Sequence, residues 1–316
     1  MTADLSTTYL GLALDSPVVA SSSPLTGTID ELRKLEDAGV AAVVLPSVFQ
    51  EKIVHGADEP DRRLDLVADA KGALGIPVIA SLNGTTRGPW VRQARLFQEA
   101  GADALELNVY FLATDIETTS TMVELQHLDL VEAVRGELSI PLAVKMSPYF
   151  NAFAHMADLV VRAGADGIVM FNRFYQPDID LDSGELRAAP SPSVSQELRT
   201  ALRWIAVLHK RVEASLAATG GIHSARDALK VIAAGGDVAM MASALLMRGR
   251  DHIAEVLRDM RTWLGRNGYE SLTQLRGSLS HRVSNDPAGF ERSMYMEAIT
   301  NSIKDARELS SFHLPD

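Results

Sequence analysis

Polar residues occur at the ends of several apolar runs that are as long as a β-strand. They are one lysine, Lys145, and a few residues with amide or hydroxyl side chains. Lys145 lies inside AVKMSP, while Asn108 and Asn172 close LELN and VMFN. Lysine is rarely buried without an opposite charge, so Lys145 is predicted to face a ligand that gains negative charge, or else to extend to the surface. An amide donates and accepts hydrogen bonds, which suits the edge of a heterocycle; otherwise both asparagines bond to the backbone. Asn83 and Ser21 end two further runs and are weaker candidates.

A pair of glycines indicates a second kind of site. The apolar run ASLAA leads into Thr219, Gly220 and Gly221, and a helical pattern follows. Backbone N–H groups that no side chain covers, together with the positive end of a helix dipole, bind phosphate. Ala242 and Ser243 end the next apolar run and would complete such a site. The alternative is that the glycines only make a tight turn.

Two kinds of apolar run alternate along the chain. AGVAAVVLP, AGADALELN, AGADGIVMF and AGGDVAMMA begin at Ala38, Ala100, Ala163 and Ala234, and SPVVASSS, IPVIASLN, IPLAVKMS and EASLAATGG begin at Ser16, Ile76, Ile140 and Glu213. Helical patterns separate them, with Thr28, Asn151 and Ser224 as candidate caps. Continuously apolar strands that alternate with helices predict a (β/α)8 TIM barrel with a parallel eight-stranded core. The alternative is an open doubly wound sheet, whose glycine-rich fingerprint normally follows the first strand.

The composition of the chain limits which classes of binding partner are expected. The 316 residues carry a formal net charge of −11 and no cysteine, so we expect neither nucleic acid nor a membrane as partner, and neither disulfides nor thiolate metal sites. The eight histidines lack metal-binding spacing, and no metal is expected. No apolar run reaches the roughly 18 residues of a membrane span, which predicts a cytoplasmic protein that binds a small molecule. We expect one domain over residues 1–316, with a helical extension from about Gly268.

The ordered motifs resemble the dihydroorotate dehydrogenase family, in particular its soluble class. LELNV, VKMSPYF, FN, ATGGI, the AS that ends the eighth run and GYESLTQLRGSL carry the resemblance along most of the chain. It implies bound FMN, with the phosphate on Gly220, Gly221 and Ser243 and with Lys145 beside the pyrimidine edge of the flavin. Asn108 and Asn172 would contact substrate or flavin. It also implies a homodimer, and oxidation of dihydroorotate to orotate in pyrimidine biosynthesis.

The loop after Asn108 departs from the family pattern. Members of the family carry a cysteine or serine there that removes a proton from the substrate, whereas this chain reads NVYFLA and places Phe111 at that point. Phenylalanine cannot accept a proton. Tyr110, Thr114 and Asp115 are the remaining candidates, and Tyr110 is the first choice because it lies close to Asn108 and a hydroxyl can relay protons.

A second departure concerns the end of the second strand. The family usually has a flavin-contacting lysine there, whereas this chain reads LPS up to Ser47, with Lys52 a few residues on. Three functions therefore stay open: an FMN oxidoreductase acting on dihydroorotate or a related small cyclic substrate, an isomerase or lyase that binds a phosphorylated metabolite, and a flavin-binding protein without turnover. For the first, the resemblance suggests fumarate as electron acceptor, and an NAD-linked system would need an iron–sulfur partner.

Overall fold

The computed structural model describes residues 2–56, 59–174, 177–187, 191–281 and 287–310. The chain forms two compact units, Met1–Ser280 and His281–Asp316. The second unit contains the helix Pro287–Ser310. The expectation of one domain over the whole chain stays a prediction.

The first unit is built on a closed ring of parallel strands. Its eight strands are β1 (Val18–Ala20), β2 (Ala42–Val44), β3 (Val78–Gly84), β4 (Ala104–Val109), β5 (Leu142–Met146), β6 (Gly167–Met170), β7 (Ser215–Thr219) and β8 (Val238–Met241). Each pairs in parallel with the next along the chain, and β8 returns to β1 through Met240 opposite Val19. The predicted TIM barrel is confirmed.

Helices follow the strands and cover the outside of the ring. The principal ones are α1 (Ile29–Asp37), α2 (Glu59–Ala73), α3 (Arg92–Glu99), α4 (Ser120–Arg135), α5 (Phe153–Arg162), α6 (Leu198–Leu208), α7 (Ala225–Ala234) and α8 (His252–Arg266). Shorter helices span Gln50–Val54, Ser243–Arg248 and Leu272–Leu275, and 3-10 turns span Pro24–Thr26, Pro89–Val91 and Ser195–Glu197. No helix among the described residues is long and apolar enough to cross a membrane.

The ends of several helices follow directly from the sequence. The Thr28 side chain accepts from the Glu31 N–H at the start of α1, and Ser224 caps α7 in the same way. The four runs that begin with Ala-Gly, at Ala38, Ala100, Ala163 and Ala234, are here called the AG repeats. The glycine of each is left-handed, from Gly39 at φ 99° to Gly235 at φ 115°, which ends a helix without strain on a Cβ atom. The prediction of an Asn151 cap was wrong: Ala152 precedes α5 without a side-chain bond, so α5 begins uncapped.

An N-terminal hairpin, Thr7–Tyr9 paired with Leu12–Leu14, closes the base of the barrel. Tyr9, Leu10 and Leu14 are buried in one cluster with inward-facing strand residues, among them Val19 and Ile79. The hairpin is hydrogen-bonded to the N-terminal end of a barrel strand: the Leu10 N–H donates to Ser215 Oγ, at the start of β7, at 2.9 Å. Apolar side chains fill the inside of this end, whereas Lys145, Asn108 and Asn172 lie toward the opposite end, here called the mouth.

The long connections at the mouth carry small elements of their own. After β2, Val48–Phe49 adds a short parallel strand to the far end of β3. Residues 110–119 link β4 to α4 without a described helix or strand. After β6, a hairpin pairs Asp178–Asp180 with Glu185–Arg187, and the 3-10 turn then leads into α6.

Candidate functional site

Lys145 lies inside the barrel at the mouth, in an ion pair with Glu106. Side chains alternate along a strand, so Lys145 shares the inward face of β5 with Ala143, and Glu106 shares that of β4 with Ala104. The Lys145 Nζ atom is 3.2 Å from Glu106 Oε1. Lys145 is 8% exposed and Glu106 is fully buried. The cation predicted from the sequence is therefore buried and paired.

Glu106 is a site residue that sequence reasoning missed. It stands two positions before Asn108 on the same strand, and a two-residue period puts both side chains on one face. An acid inside an otherwise apolar run is as unusual as a lysine there, because both charges are rarely buried without a partner. The glutamate within LELN is therefore the signal that could have found it.

The amide of Asn108 joins the mouth ends of three strands. Its Nδ2 donates to Ser81 Oγ at 2.8 Å, to Leu82 O at 3.2 Å and to Ser47 Oγ at 3.2 Å. The Ser47 and Ser81 hydroxyl oxygens are 2.6 Å apart. Ser47 thus belongs to a neutral network at the position where the resemblance implies a lysine. Lys52 is exposed on the helix Gln50–Val54.

Asn172 and Asn83 lie at the mouth in different settings. The Asn172 Nδ2 donates to Lys145 O at 2.9 Å and to Val109 O at 3.1 Å, so this amide ties three strand ends together through their backbone. That is the backbone-bonded alternative to ligand contact. Asn83 is half-buried at the end of β3.

The predicted phosphate loops lie next to each other, and the segment before α6 packs on them. Gly220, at φ 87°, has open space where a Cβ would stand, whereas a Cβ on Gly221 would lie 2.6 Å from Leu198 N. The Gly221 N–H donates to Ser193 Oγ at 3.1 Å, and the Ser193 N–H donates to Ser243 Oγ at 3.0 Å. Buried Ser193 is a second residue that sequence reasoning missed.

Neighbouring polar groups complete this side of the mouth. Ser21 and Thr219 bring their hydroxyl oxygens to 3.5 Å from each other. Ala242 directly precedes the helix Ser243–Arg248. At the start of α7, the Asp227 carboxylate accepts from the Ser224 hydroxyl at 2.8 Å and from the His223 N–H at 3.2 Å. Asp227 therefore uses donors at the helix start where the sequence predicts a phosphate.

Aromatic side chains from three loops meet at the mouth. The Tyr110 ring stacks on Phe174 with centroids 4.5 Å apart, and Tyr149 meets Phe174 edge-on at 5.1 Å. These residues follow β4, β6 and β5, so their loops converge. Tyr110 and Phe111 are half-buried. The other two candidate bases, Thr114 and Asp115, are exposed.

Comparison with known proteins agrees with this architecture. A family model described as dihydroorotate dehydrogenase matches residues 49–264, more than half of the chain. A protein of Aeropyrum pernix provisionally named dihydroorotate dehydrogenase A (fumarate) is 27% identical over 311 residues, covering 89% of this chain and 98% of that protein. A subunit of the NAD-dependent dihydropyrimidine dehydrogenase of Escherichia coli is 24% identical, covering 90% of this chain and 78% of its own. The catalytic subunit of dihydroorotate dehydrogenase B (NAD(+)) of Thermoplasma acidophilum is 24% identical, with 87% and 98% covered.

Proposed function

Because the chain belongs to the dihydroorotate dehydrogenase family, whose members are flavin-dependent dehydrogenases, we propose that it binds FMN and oxidises a CH–CH bond of dihydroorotate or a related small cyclic substrate. The observation that carries the proposal is the buried ammonium of Lys145 among polar strand ends at the mouth. A buried charge is costly unless it is paired, and Glu106 is the partner of Lys145 here. An ion pair buried inside an apolar barrel is typical of a functional site.

The residues of the mouth fit such a cofactor. Gly220 leaves open space and adopts a left-handed backbone, as a loop that lets a phosphate approach closely requires. The Gly221 N–H and Ser243 Oγ both bond to Ser193 on this side of the mouth, so Ser193 would bind the phosphate with them or release them when FMN binds. Ser21, Asn83, Thr219 and Ala242 would line the cofactor site, and Asn108 and Asn172 would meet the substrate or the ring.

Each part of this mouth has a defined task in the proposed reaction. When bound, FMN supplies the acceptor for a hydride and becomes more negative at its pyrimidine edge. Lys145 stabilises that charge because it is fixed in a site from which most water is excluded. Asn108 presents its carbonyl oxygen, since its Nδ2 is committed to Ser47, Ser81 and Leu82.

Proton removal is assigned to Tyr110. Phe111 has no group that accepts a proton, and Tyr110 stands closest along the chain to Asn108. Its ring stacks on Phe174, which restrains the ring. Replacing Tyr110 with Phe keeps this stacking, and we expect the rate of flavin reduction by substrate to fall by roughly 100-fold. An unaltered rate removes Tyr110 from the mechanism.

Absorption spectroscopy tests the proposal as a whole. We expect purified protein to take up added FMN, and dihydroorotate to bleach the flavin without dithionite. Lys145→Met is expected to weaken FMN binding by about 10- to 100-fold, since a hydrogen bond to a charged group contributes about 1.5–3 kcal/mol. Lys71→Met is the matched control, because Lys71 pairs with Asp103 outside the mouth. Protein that does not take up FMN contradicts the proposal.

Flavin-loaded protein that dihydroorotate does not bleach would have a different meaning. That result would support FMN binding but not dihydroorotate as the substrate. The substrate would then be another cyclic amide or unsaturated acid, or the protein would not turn over. Phe111 and Ser47, which replace the family's base and lysine, favour these two outcomes. The homodimer and fumarate as electron acceptor stay predictions from the family. Light scattering that gives the mass of a single chain would contradict the homodimer.

A further inference from the structure

We propose that Glu106 is a positioning residue that fixes Lys145 and sets how strongly the protein prefers reduced over oxidised flavin. This inference rests on the proposed binding of FMN. It concerns the carboxylate beside Lys145 on the neighbouring strand.

The ion pair is shielded from water. Glu106 Oε1 lies 3.2 Å from Lys145 Nζ, and the side chains are 1% and 11% exposed. Glu106 Oε2 is fully buried and has no hydrogen-bond partner among the described residues. A carboxylate accepts several hydrogen bonds, so one that makes a single charged contact depends heavily on that contact. Lys145 is accordingly the group that balances the Glu106 charge.

The base hairpin places a neutral group, Tyr9, on the side of Glu106 that faces away from the mouth. Tyr9 enters the barrel from the hairpin, and its hydroxyl is buried without a hydrogen-bond partner in the described part of the chain. Burial raises the pKa of Tyr9 well above its ordinary value, and the charges of Glu106 and Asp237 raise it further. The groups on the base side of Glu106 are therefore apolar or uncharged, and its charged contact is with Lys145 on the mouth side.

Two consequences follow for a cofactor bound above the pair. Glu106 restrains the ammonium at one place, which orients its remaining hydrogens toward the mouth. Its negative charge also offsets part of the positive field of Lys145, because both charges lie in the same low-dielectric space. The pair therefore stabilises reduced flavin less than an isolated lysine would.

Glu106→Gln tests this because it keeps the size of the side chain and removes its charge. We expect the protein's preference for reduced over oxidised FMN to rise about tenfold, which for a two-electron couple raises the reduction potential by about 30 mV. Tyr9→Phe is the matched control: it changes an uncharged neighbour of the same pocket, and we expect the potential to stay as in the unmodified protein. The potential is read by equilibration with reference dyes.

A double-variant cycle shows whether Glu106 acts through Lys145. In a Lys145→Met background the buried Glu106 has no counter-charge, and a buried carboxylate without one is neutralised by a proton. Glu106→Gln then exchanges one uncharged group for another, and we expect the preference for reduced flavin to change by less than about threefold. An equal shift in both backgrounds, or no shift in the single variant, would overturn the inference. If Glu106→Gln does not fold, Glu106→Asp carries the test: it retracts the carboxylate from Lys145, the same direction is expected, and an unchanged potential again overturns it.

A cofactor-free readout separates this inference from the proposed function. A buried amine that loses its carboxylate partner gives up its proton more readily, because burial disfavours the charged form. We expect acetic anhydride to acylate Lys145 about tenfold faster in cofactor-free Glu106→Gln than in the unmodified protein, by peptide mass mapping. An equal rate contradicts the ion pair, whereas failure of FMN to bind either protein contradicts only the proposed function.

Discussion

The base and the mouth of the barrel hold their charged side chains in different ways. At the base, three of the AG repeats carry an aspartate two positions after the glycine, which accepts a backbone N–H at the start of a neighbouring strand and pairs with a cation. The three sets are Asp103 with Val78 and Lys71, Asp166 with Leu142 and Arg135, and Asp237 with Leu216 and Arg276. These carboxylates are tied to the backbone of a neighbouring strand, which fixes the strand ends.

At the mouth, several charged and polar side chains bond to one another. Lys145 meets Glu106, Asn108 meets two serines, and Ser21 approaches Thr219. Lys145, Glu106 and Asn108 do not recur at the matching positions of the other runs of their kind. The difference indicates that a repeated aspartate of this chain serves the barrel, whereas an unrepeated polar residue at a strand end is a candidate for binding a ligand.

Arg276→Met is expected to give the largest effect at the base. Asp237 is 2% exposed, so loss of its partner leaves a buried carboxylate uncompensated. We expect the free energy of unfolding at pH 7 to fall by about 3–5 kcal/mol, measured by urea denaturation. FMN affinity of the folded protein is expected to stay unchanged, because Arg276 lies at the other end of the barrel.

Lys71→Met is the control for that loss. Asp103 bonds to Val78 as Asp237 bonds to Leu216, but its side chain is 26% exposed and water can replace the lost lysine. The expected loss is about 1 kcal/mol or less. Equal losses in the two variants would show that burial does not set the difference.

The titration of Asp237 gives the next largest effect. Burial raises the pKa of Asp237 from 3.8 to about 6, and the Arg276 charge opposes this only in part. Between those two values the folded protein binds a proton that the unfolded chain does not, so stability falls as pH rises from about 4 to 6, by up to about 3 kcal/mol.

Asp237→Asn isolates this contribution from other titrating groups. We expect the stability of the unmodified protein, relative to Asp237→Asn, to decrease from pH 4 to pH 6 and to level off above that range. Urea denaturation of both proteins at matched pH values measures it. A relative stability that increases with pH would mean that the ion pair with Arg276 outweighs the burial of Asp237.

The features that the sequence could predict are those that depend on local signals. The AG repeats predicted the strands, because a left-handed glycine and an apolar run are local signals. Lys145 and Asn108 were predicted as site residues, in roles that stay predictions, because a polar residue in such a run is unusual. Ser193 and Ser47 were not, since their contacts join residues that are 50 and 61 positions apart, and no local pattern records which loop will fold over which strand.

A matched pair of glycines gives the smallest and sharpest comparison. Gly220 at the mouth and Gly11 in the base hairpin have φ values of 87° and 74°, and at each of them a Cβ would meet no atom within 4 Å. Replacing either glycine with alanine is therefore expected to lower the free energy of unfolding by about 1 kcal/mol, because alanine is strained in the left-handed backbone conformation. Gly220→Ala is expected to weaken FMN binding about tenfold as well, because the new methyl group occupies the space proposed for the phosphate. Gly11→Ala is expected to leave FMN binding unchanged in an absorption titration. Equal FMN affinities in the two variants would place the phosphate elsewhere and leave Gly220 with the same purely conformational role as Gly11.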